Sequence, residues 1–254
     1  MKLYVVTHKE YKSKVKKSNI YQDILVGAAL GNNGPEHCIN DNEGENISAK
    51  NQSFCELTAL YWIWKNSDER VVGLEHYRRY LVKNGSHEVL DQKTITDDLK
   101  QNDIILPQPL IYGGKIKVGK TAAQWFGDCH DPLIWTLSRD IMNKSCPEYV
   151  PDLDWFSYQL VGYCFNMFIS NKEIIDEYCE WLFPILFELE KEVDISRYDS
   201  YNKRMFGFLS ERLFNVWLHH NKLTIKEYPF YMTEKPNILK RAGNKLKSFG
   251  KSLK

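Results

Sequence analysis

The chain has 254 residues, enough to bury one substantial core without disulfides or metal. A formal charge of +1 gives no whole-chain field that would draw nucleic acid. Walker A, GxGxxG, GxSxG and HExxH patterns are missing, so kinase, hydrolase and zinc-protease readings lose their main support.

Lys2 to Thr7 is β-branched and aromatic enough for a strand, ending at the polar pair Thr7 and His8. A basic loop runs to Lys17, and the short apolar segment Ile24 to Leu30 stops at the turn cluster Gly31-Asn32-Asn33-Gly34-Pro35. The stretch DNEGENISAKNQSFCELTALYWIWKNSDER then predicts a helix from about Ile47 to Lys65. Ser53 and Glu56 stand at capping-box spacing, and Phe54, Leu57, Leu60, Tyr61 and Trp64 recur at helical steps.

Val71 to Leu81 reads as a strand carrying VVGLEHYRRYL, and Asp103 to Leu106 as another, closed by Pro107 and Pro109. Ile111 to Gly119 is expected as a loop or small hairpin, Ala122 to Phe126 and Pro132 to Lys144 as helices, and Val161 to Ser170 as an aromatic-rich strand. Lys172 to Leu189 predicts a helix interrupted or kinked near Pro184, Phe206 to His219 a last helix, and Leu223 to Tyr228 a last strand. Strands alternating with helices, without repeats, imply a single α/β domain with a mixed sheet. Ligands in such sheets sit beyond the carboxyl ends of strands, here after Thr7 and around His76 to Arg79.

His76, Tyr77, Arg78 and Arg79 are the first candidate constellation. Two guanidiniums beside an imidazole suit phosphate oxygens, because Arg presents forked donors; a salt-bridged surface cluster is the competing reading. If the segment stays a strand, His76 and Arg78 share one face and Tyr77 and Arg79 the other. Asn46, Ser48, Lys50 and Asn51 precede the long helix, where free amides and an ammonium can meet an anion or a ribose hydroxyl. Asp41, Glu43 and Glu45 in the same loop suit a metal or sugar hydroxyls better than phosphate. Glu211 on the last helix can serve as general base, or it can simply pair with Arg212 at the surface. Trp125, Trp155, Tyr158, Tyr163 and Phe165 belong to an aromatic excess that packs cores and also stacks on sugars.

No DxD pair follows a hydrophobic strand; Asp152-Leu153-Asp154 spells one, but in an expected loop, so no metal ligand is assigned and metal dependence stays open. The six cysteines Cys38, Cys55, Cys129, Cys146, Cys164 and Cys179 are scattered singly and are expected as buried thiols in a reducing compartment. No run approaches the roughly 20 apolar residues of a bilayer span, and the apolar run in MKLYVVTHKE is too short for a secretory leader. The expectation is a cytoplasmic protein, or one held on a membrane surface from that side. From Asn237 to Lys254 come six basic residues and no acid, with Leu239, Ala242, Leu246, Phe249 and Leu253 in one stripe. Such a basic amphipathic tail can lie on an anionic inner leaflet; a soluble disordered tail is the alternative.

Together LYVVTHKEY, DNEGENISAKNQSFCELTALYWIWKN, VGLEHYRRYL, FNMFIS, DEYCEWLFPILFELE and GFLSERLFNVWL resemble a bacterial glycosyltransferase family of capsule, exopolysaccharide and O-antigen synthesis. Its members were long described as a domain of unknown function, and some are galactosyl- or galactofuranosyltransferases. The resemblance spans about Lys2 to Tyr228. It implies a GT-A-like, Rossmann-like mixed sheet flanked by helices over residues 1–236, with residues 237–254 as the tail. It implies a UDP-sugar donor and a lipid-linked or oligosaccharide acceptor. It implies Thr7 and His8 at the donor edge, with Asn46, Ser48, Lys50 and Asn51 beside it. His76, Tyr77, Arg78 and Arg79 would stand where related enzymes keep metal-binding acids, Asn166 on the strand touching the sugar, and Glu211 near the acceptor. The expected activity is hexosyl transfer, with Arg78 and Arg79 stabilising the leaving diphosphate and Glu211 as base. A non-catalytic nucleotide- or glycan-binding module of a membrane-associated assembly complex is the alternative.

Overall fold

The structure, a computed structural model, describes residues 1–114 and 119–234. The strands are β1 (Lys2–Thr7), β2 (Tyr21–Leu25), β3 (Ile39–Asn40), β4 (Val71–His76), β5 (Arg79–Leu81) and β6 (Ile104–Pro107). They continue with β7 (Leu110–Ile111), β8 (Val161–Gly162), β9 (Phe168–Asn171), β10 (Ile225–Tyr228) and β11 (Phe230–Met232). The helices are α1 (Asn51–Phe54), α2 (Leu57–Asn66), α3 (Gln92–Asp98), α4 (Ala122–Cys129), α5 (Pro132–Ser145), α6 (Val150–Ser157), α7 (Lys172–Glu192) and α8 (Met205–His220).

The main sheet runs β3-β2-β1-β4-β9-β6-β10. β9 is antiparallel to both of its neighbours, while β3, β2, β1 and β4 run parallel to one another, as do β6 and β10. The carboxyl ends of β1, β2, β4, β6 and β10 therefore meet at one edge of the molecule. β5 folds back from β4 and pairs with β11, and β7 with β8 forms a separate small ribbon.

Strand alternation divides the core in two. Tyr4, Val6, Val72, Leu74, Ile104, Leu106 and Phe168 face the large core shared with α2, α4, α5, α6, α7 and α8. Leu3, Val5, Ile105 and Ile169 face a smaller core with Tyr21, Tyr80, Leu90 and Ile95. Gly73 lies between β1 and β9 on that second face, where a Cβ would come within 2.6 Å of Leu3 Cδ2 and 3.0 Å of Ile169 Cγ1. Burying both faces is what makes β1 read as a nearly continuous apolar run.

The expected α/β architecture, the strands at Lys2–Thr7 and Asp103–Leu106, and the helices at α4, α5, α7 and α8 agree with these elements. α7 is continuous through Pro184, whose ring sits on the exposed face, where a missing N–H costs little. Three expectations are corrected. The helix over Ile47 to Lys65 is divided at Cys55, whose φ of 53° no helix accommodates; Asn51 Nδ2 donates to the Cys55 carbonyl at 2.7 Å, beside the Thr58 N–H and hydroxyl. The strand over Val71 to Leu81 is a tight hairpin, in which His76 pairs with Arg79 across a turn at Tyr77 and Arg78. The strand over Val161 to Ser170 is two strands, parted at Phe165 (φ 79°) and Asn166 (φ 48°). Cys146 and Cys179 are buried, but Cys38, Cys55, Cys129 and Cys164 are only partly so. The basic tail Asn237–Lys254 lies outside the described residues.

Candidate functional site

The turn between β4 and β5 places its side chains by simple geometry. Directly paired residues of an antiparallel ladder point to the same face, so His76 and Arg79 share one face, and the pairing of His76 with Arg78 expected from an unbroken strand does not occur. His76 Nε2 donates to the Phe165 carbonyl at 2.6 Å. Burial, followed by the charge of Arg79, pushes the His76 imidazole down to about 3. It is therefore a neutral strut that ties the end of β4 to the Phe165–Asn166 bend.

The Arg79 guanidinium lies 4.2 Å over the Phe165 ring, and its Nε is buried with no hydrogen-bond partner among the described residues. Burial, then the neighbouring Arg78, lowers its pKa. Arg78 sits at the turn tip, its guanidinium 5.7 Å from the Tyr77 ring. A third cation, Arg204, comes from the segment just before α8. Its Nε donates to Cys55 Sγ at 3.2 Å, and it lies 5.0 Å over the Phe208 ring. Arg204 is among the charges acting on both Arg79 and His8. Among the described residues none of these three guanidiniums has a carboxylate within ion-pair distance, whereas Arg139, Arg197 and Arg212 each do. Like charges brought together without a counter-ion are costly.

Two carboxylates border this cluster and act on Arg79 electrostatically. Glu211 holds the buried Arg212 through a 2.7 Å contact to NH1, so the pair is nearly buried, unlike the surface pair that was the alternative. Glu56 accepts from Asn166 Nδ2 at 2.8 Å.

The remaining residues expected in donor binding divide. His8 is exposed at the end of β1, its ring edge-on to Tyr77 with centroids 5.7 Å apart. Partial desolvation, then Lys9, Arg78 and Arg204, lowers its pKa. Thr7 is buried and its hydroxyl donates to the Lys9 carbonyl, fixing the loop. Tyr77 turns into the smaller core. Asn46 donates to the carbonyls of Asn42 and Gly44, and Lys50 pairs with Glu190 on α7. Ser48 is buried and bonded to Asp41, and Asn51 is spent on Cys55 and Thr58. Asn166 lies in the bend and not on a strand, its amide held by Glu56, Ser210 and the Gly207 carbonyl.

Asp41 is likewise structural. Fully buried, it accepts from the backbone N–H of Gly27 and Ala28, and from the hydroxyls of Ser48 and Thr58. That clamp shapes the left-handed turn at Gly27 (φ 70°), where a Cβ would meet Asn32 Nδ2 at 2.6 Å. Beside it a cleft of about 600 Å³ opens at the ends of β1, β2 and β3, lined by Glu10, Ala28, Asn32, Asn33, Asn40 and Asn42.

A family model described as a domain of unknown function, DUF4422, matches residues 2–222. The chain belongs to that family. Among solved structures, WbbM, a bifunctional glycosyltransferase in its apo form, matches with a TM-score of 0.81 at 30% identity, covering 92% of this chain. The match covers 45% of the WbbM chain, so this chain spans less than half of that protein's length. No curated protein matches. The likeness identifies the mixed sheet flanked by helices as a GT-A-like fold in a single domain.

In this DUF4422 chain the donor set at the end of β4 does not fit a divalent cation. The turn carries two arginines, and His76 spends its Nε2 on Phe165. Asp152 and Asp154 stand on α6 and not in a loop. Asp152 is bonded to His219 and His220, and Asp154 to Arg139 through two 2.7 Å contacts. Among the described residues no three His, Cys, Asp or Glu side chains form a metal-holding group, and no helix is long and apolar enough to cross a membrane. Sequence reasoning missed Arg204 and the site role of Glu56. Arg204 carries no local signal, and Glu56 stood out only at a capping-box position.

Proposed function

We propose that this chain is a glycosyltransferase that takes a hexosyl group, galactose or galactofuranose, from a UDP-sugar and places it on a lipid-linked or oligosaccharide acceptor of a bacterial surface polysaccharide. The observation that carries the reading is the group of three guanidiniums, Arg78, Arg79 and Arg204, without an ion-pair partner among the described residues and beside the carboxyl ends of a GT-A-like sheet. The base and ribose would lie in the amide-lined cleft beyond β1 and β2, with the diphosphate against the arginines. An acceptor hydroxyl attacks the anomeric carbon, the bond from that carbon to the diphosphate oxygen breaks, and UDP leaves with the electron pair. Glu211, or Glu56 across the cluster, takes the hydroxyl proton, and the guanidiniums neutralise charge that grows on the leaving oxygen. A place on the inner membrane face, through the basic tail, suits a lipid-linked acceptor.

The test is UDP binding by calorimetry, and UDP release from UDP-galactose and UDP-galactofuranose in the presence of acceptor. Arg78→Ala with Arg79→Ala should lower UDP affinity at least about a hundredfold while the chain stays folded. UDP affinity and turnover that survive the double substitution would remove the proposed role, and donor binding without any turnover would favour the non-catalytic module.

A further inference from the structure

A second cleft, of about 720 Å³, lies on the flank of the molecule between α6, β8 and the carboxyl-terminal half of α8. Trp155 stands in its wall, 43% exposed. The indole is stacked on His219, with centroids 3.6 Å apart and planes at 14°. His219 Nδ1 is bonded to one oxygen of Asp152 at 2.5 Å, and His220 Nδ1 to the other at 2.8 Å. His220 in turn stacks on Tyr149 at 3.7 Å. One carboxylate thus fixes two imidazoles, and one of them backs the indole. The result is a rigid aromatic plate still partly open to solvent, a surface that favours a flat apolar partner.

The rest of the wall mixes apolar side chains, Pro109, Val161, Leu223 and Ile225 among them, with polar groups. Gln159 uses its amide N–H on the Trp155 carbonyl at 3.1 Å, and its side-chain oxygen has no partner among the described residues. Lys222 has no ion-pair partner among the described residues. An aromatic plate ringed by separate donors and acceptors matches a sugar, whose C–H face stacks while its hydroxyls bond at the rim.

Helix α8 links the cleft to the surroundings of the arginine cluster. Glu211, Asn215 and His219 follow one another at steps of four on α8, a single stripe about 12 Å long. Asn215 binds both the Glu211 carbonyl and the Tyr163 backbone, at 2.7 Å to the Tyr163 N–H and 2.9 Å to its carbonyl. It joins the cleft wall to the segment that ends in Phe165 and Asn166.

We propose that this cleft holds saccharide units of the acceptor behind the one that reacts, with Trp155 as the stacking plate. The inference rests on the glycosyltransferase reading for the word acceptor, while saccharide binding itself can be measured without any donor.

The experiment titrates the full chain with a galactose tetrasaccharide and with free galactose. It follows tryptophan fluorescence and, separately, acceptor KM with UDP-galactose. Trp155→Ala should weaken tetrasaccharide binding about tenfold or more, leave UDP affinity as a control of folding, and spare the weak response to free galactose. Trp155→Phe should restore most of the loss, which a merely structural role for the indole would not require. Tetrasaccharide binding that depends on Trp155 in a protein without turnover would sustain the site and defeat the transferase reading. Turnover with a tetrasaccharide affinity indifferent to Trp155 would overturn the site alone, as would an exposed Trp155 that governs only self-association.

Discussion

Glu75 gives a quantitative test of the sheet's second face. It is fully buried on β4, with one oxygen accepting the Leu81 N–H at 3.2 Å and the other without a hydrogen-bond partner among the described residues. Burial pushes its carboxyl up to about 8, opposed only in part by the Leu81 amide and by Lys17. The folded chain keeps this proton to about pH 8, while the unfolded chain releases it near 4.5. The contribution is therefore fully present below the unfolded value and is lost as pH rises through the folded one. Each pH unit in that window costs roughly 1.4 kcal/mol, so the loss at pH 7 is about 3 kcal/mol. Glu75→Gln removes the ionisation. Its carbonyl still accepts from Leu81, and its amide takes the place of a carboxyl hydroxyl that has no partner either. The variant should gain about 2–3 kcal/mol at pH 7, or roughly 5–10 °C in Tm, and less than about 1 kcal/mol near pH 5. Urea unfolding of both proteins from pH 5 to 8 measures this. Parallel pH dependence in the two would refute a neutral, buried Glu75.

Arg204→Ala should lower UDP affinity by about tenfold to a hundredfold, with Arg204→Lys intermediate because it keeps the charge and loses the fork; calorimetry reads both. Asp41→Ala strands the N–H groups of Gly27 and Ala28 and two buried hydroxyls, and should cost more than about 3 kcal/mol in chemical unfolding. His76→Ala leaves the Phe165 carbonyl without its donor, a loss of about 1–3 kcal/mol at pH 8. Because the folded His76 resists protonation down to about 3, its stabilisation is present above pH 6.5 and declines as pH falls below that value. The deficit of His76→Ala should accordingly shrink on acidification, and a deficit constant with pH would contradict a neutral strut.

What was legible in the sequence is what local chemistry specifies. β1 and β6 showed through dense apolar runs, β6 with prolines behind it, and α5 was expected over Pro132 to Lys144, where the structure adds Asp131 as its cap. β2 escaped because YQDIL holds polar Gln22 and Asp23 among its five residues, and Asp23 is accommodated only by the tertiary partners Tyr11 and Lys17. The break at Cys55 was hidden because Ser53 and Glu56 fit a capping box, while the left-handed residue between them is held by Asn51. For the site, Arg78 and Arg79 were visible because they are adjacent. Arg204 was not, because 125 residues separate it from Arg79 and only the packing of α8 brings it near. Asn46, Ser48, Lys50 and Asn51 have ligand-like side chains, yet each is bonded within the protein, which composition cannot reveal.

The placement of the cations follows from the length of one turn. Had β4 continued through Arg79, alternation would have put Tyr77 and Arg79 together and sent Arg79 to the face opposite His76, toward the smaller core. Reversal at Tyr77 and Arg78 does the opposite, returning Arg79 beside His76 and leaving Arg78 at the tip beyond the sheet. The strut from His76 to Phe165 then sets the ring on which the Arg79 guanidinium lies, and the bend at Phe165 and Asn166 is pinned to α8 by Ser210 and Asn215. Arg204 enters from the residue before α8, so the same helix that anchors the bend also supplies the third charge. The cluster is thus positioned by the hydrogen bonds of the bend and of α8, Glu56 and Glu211 offset part of its charge, and on the proposed reading a diphosphate offsets the rest.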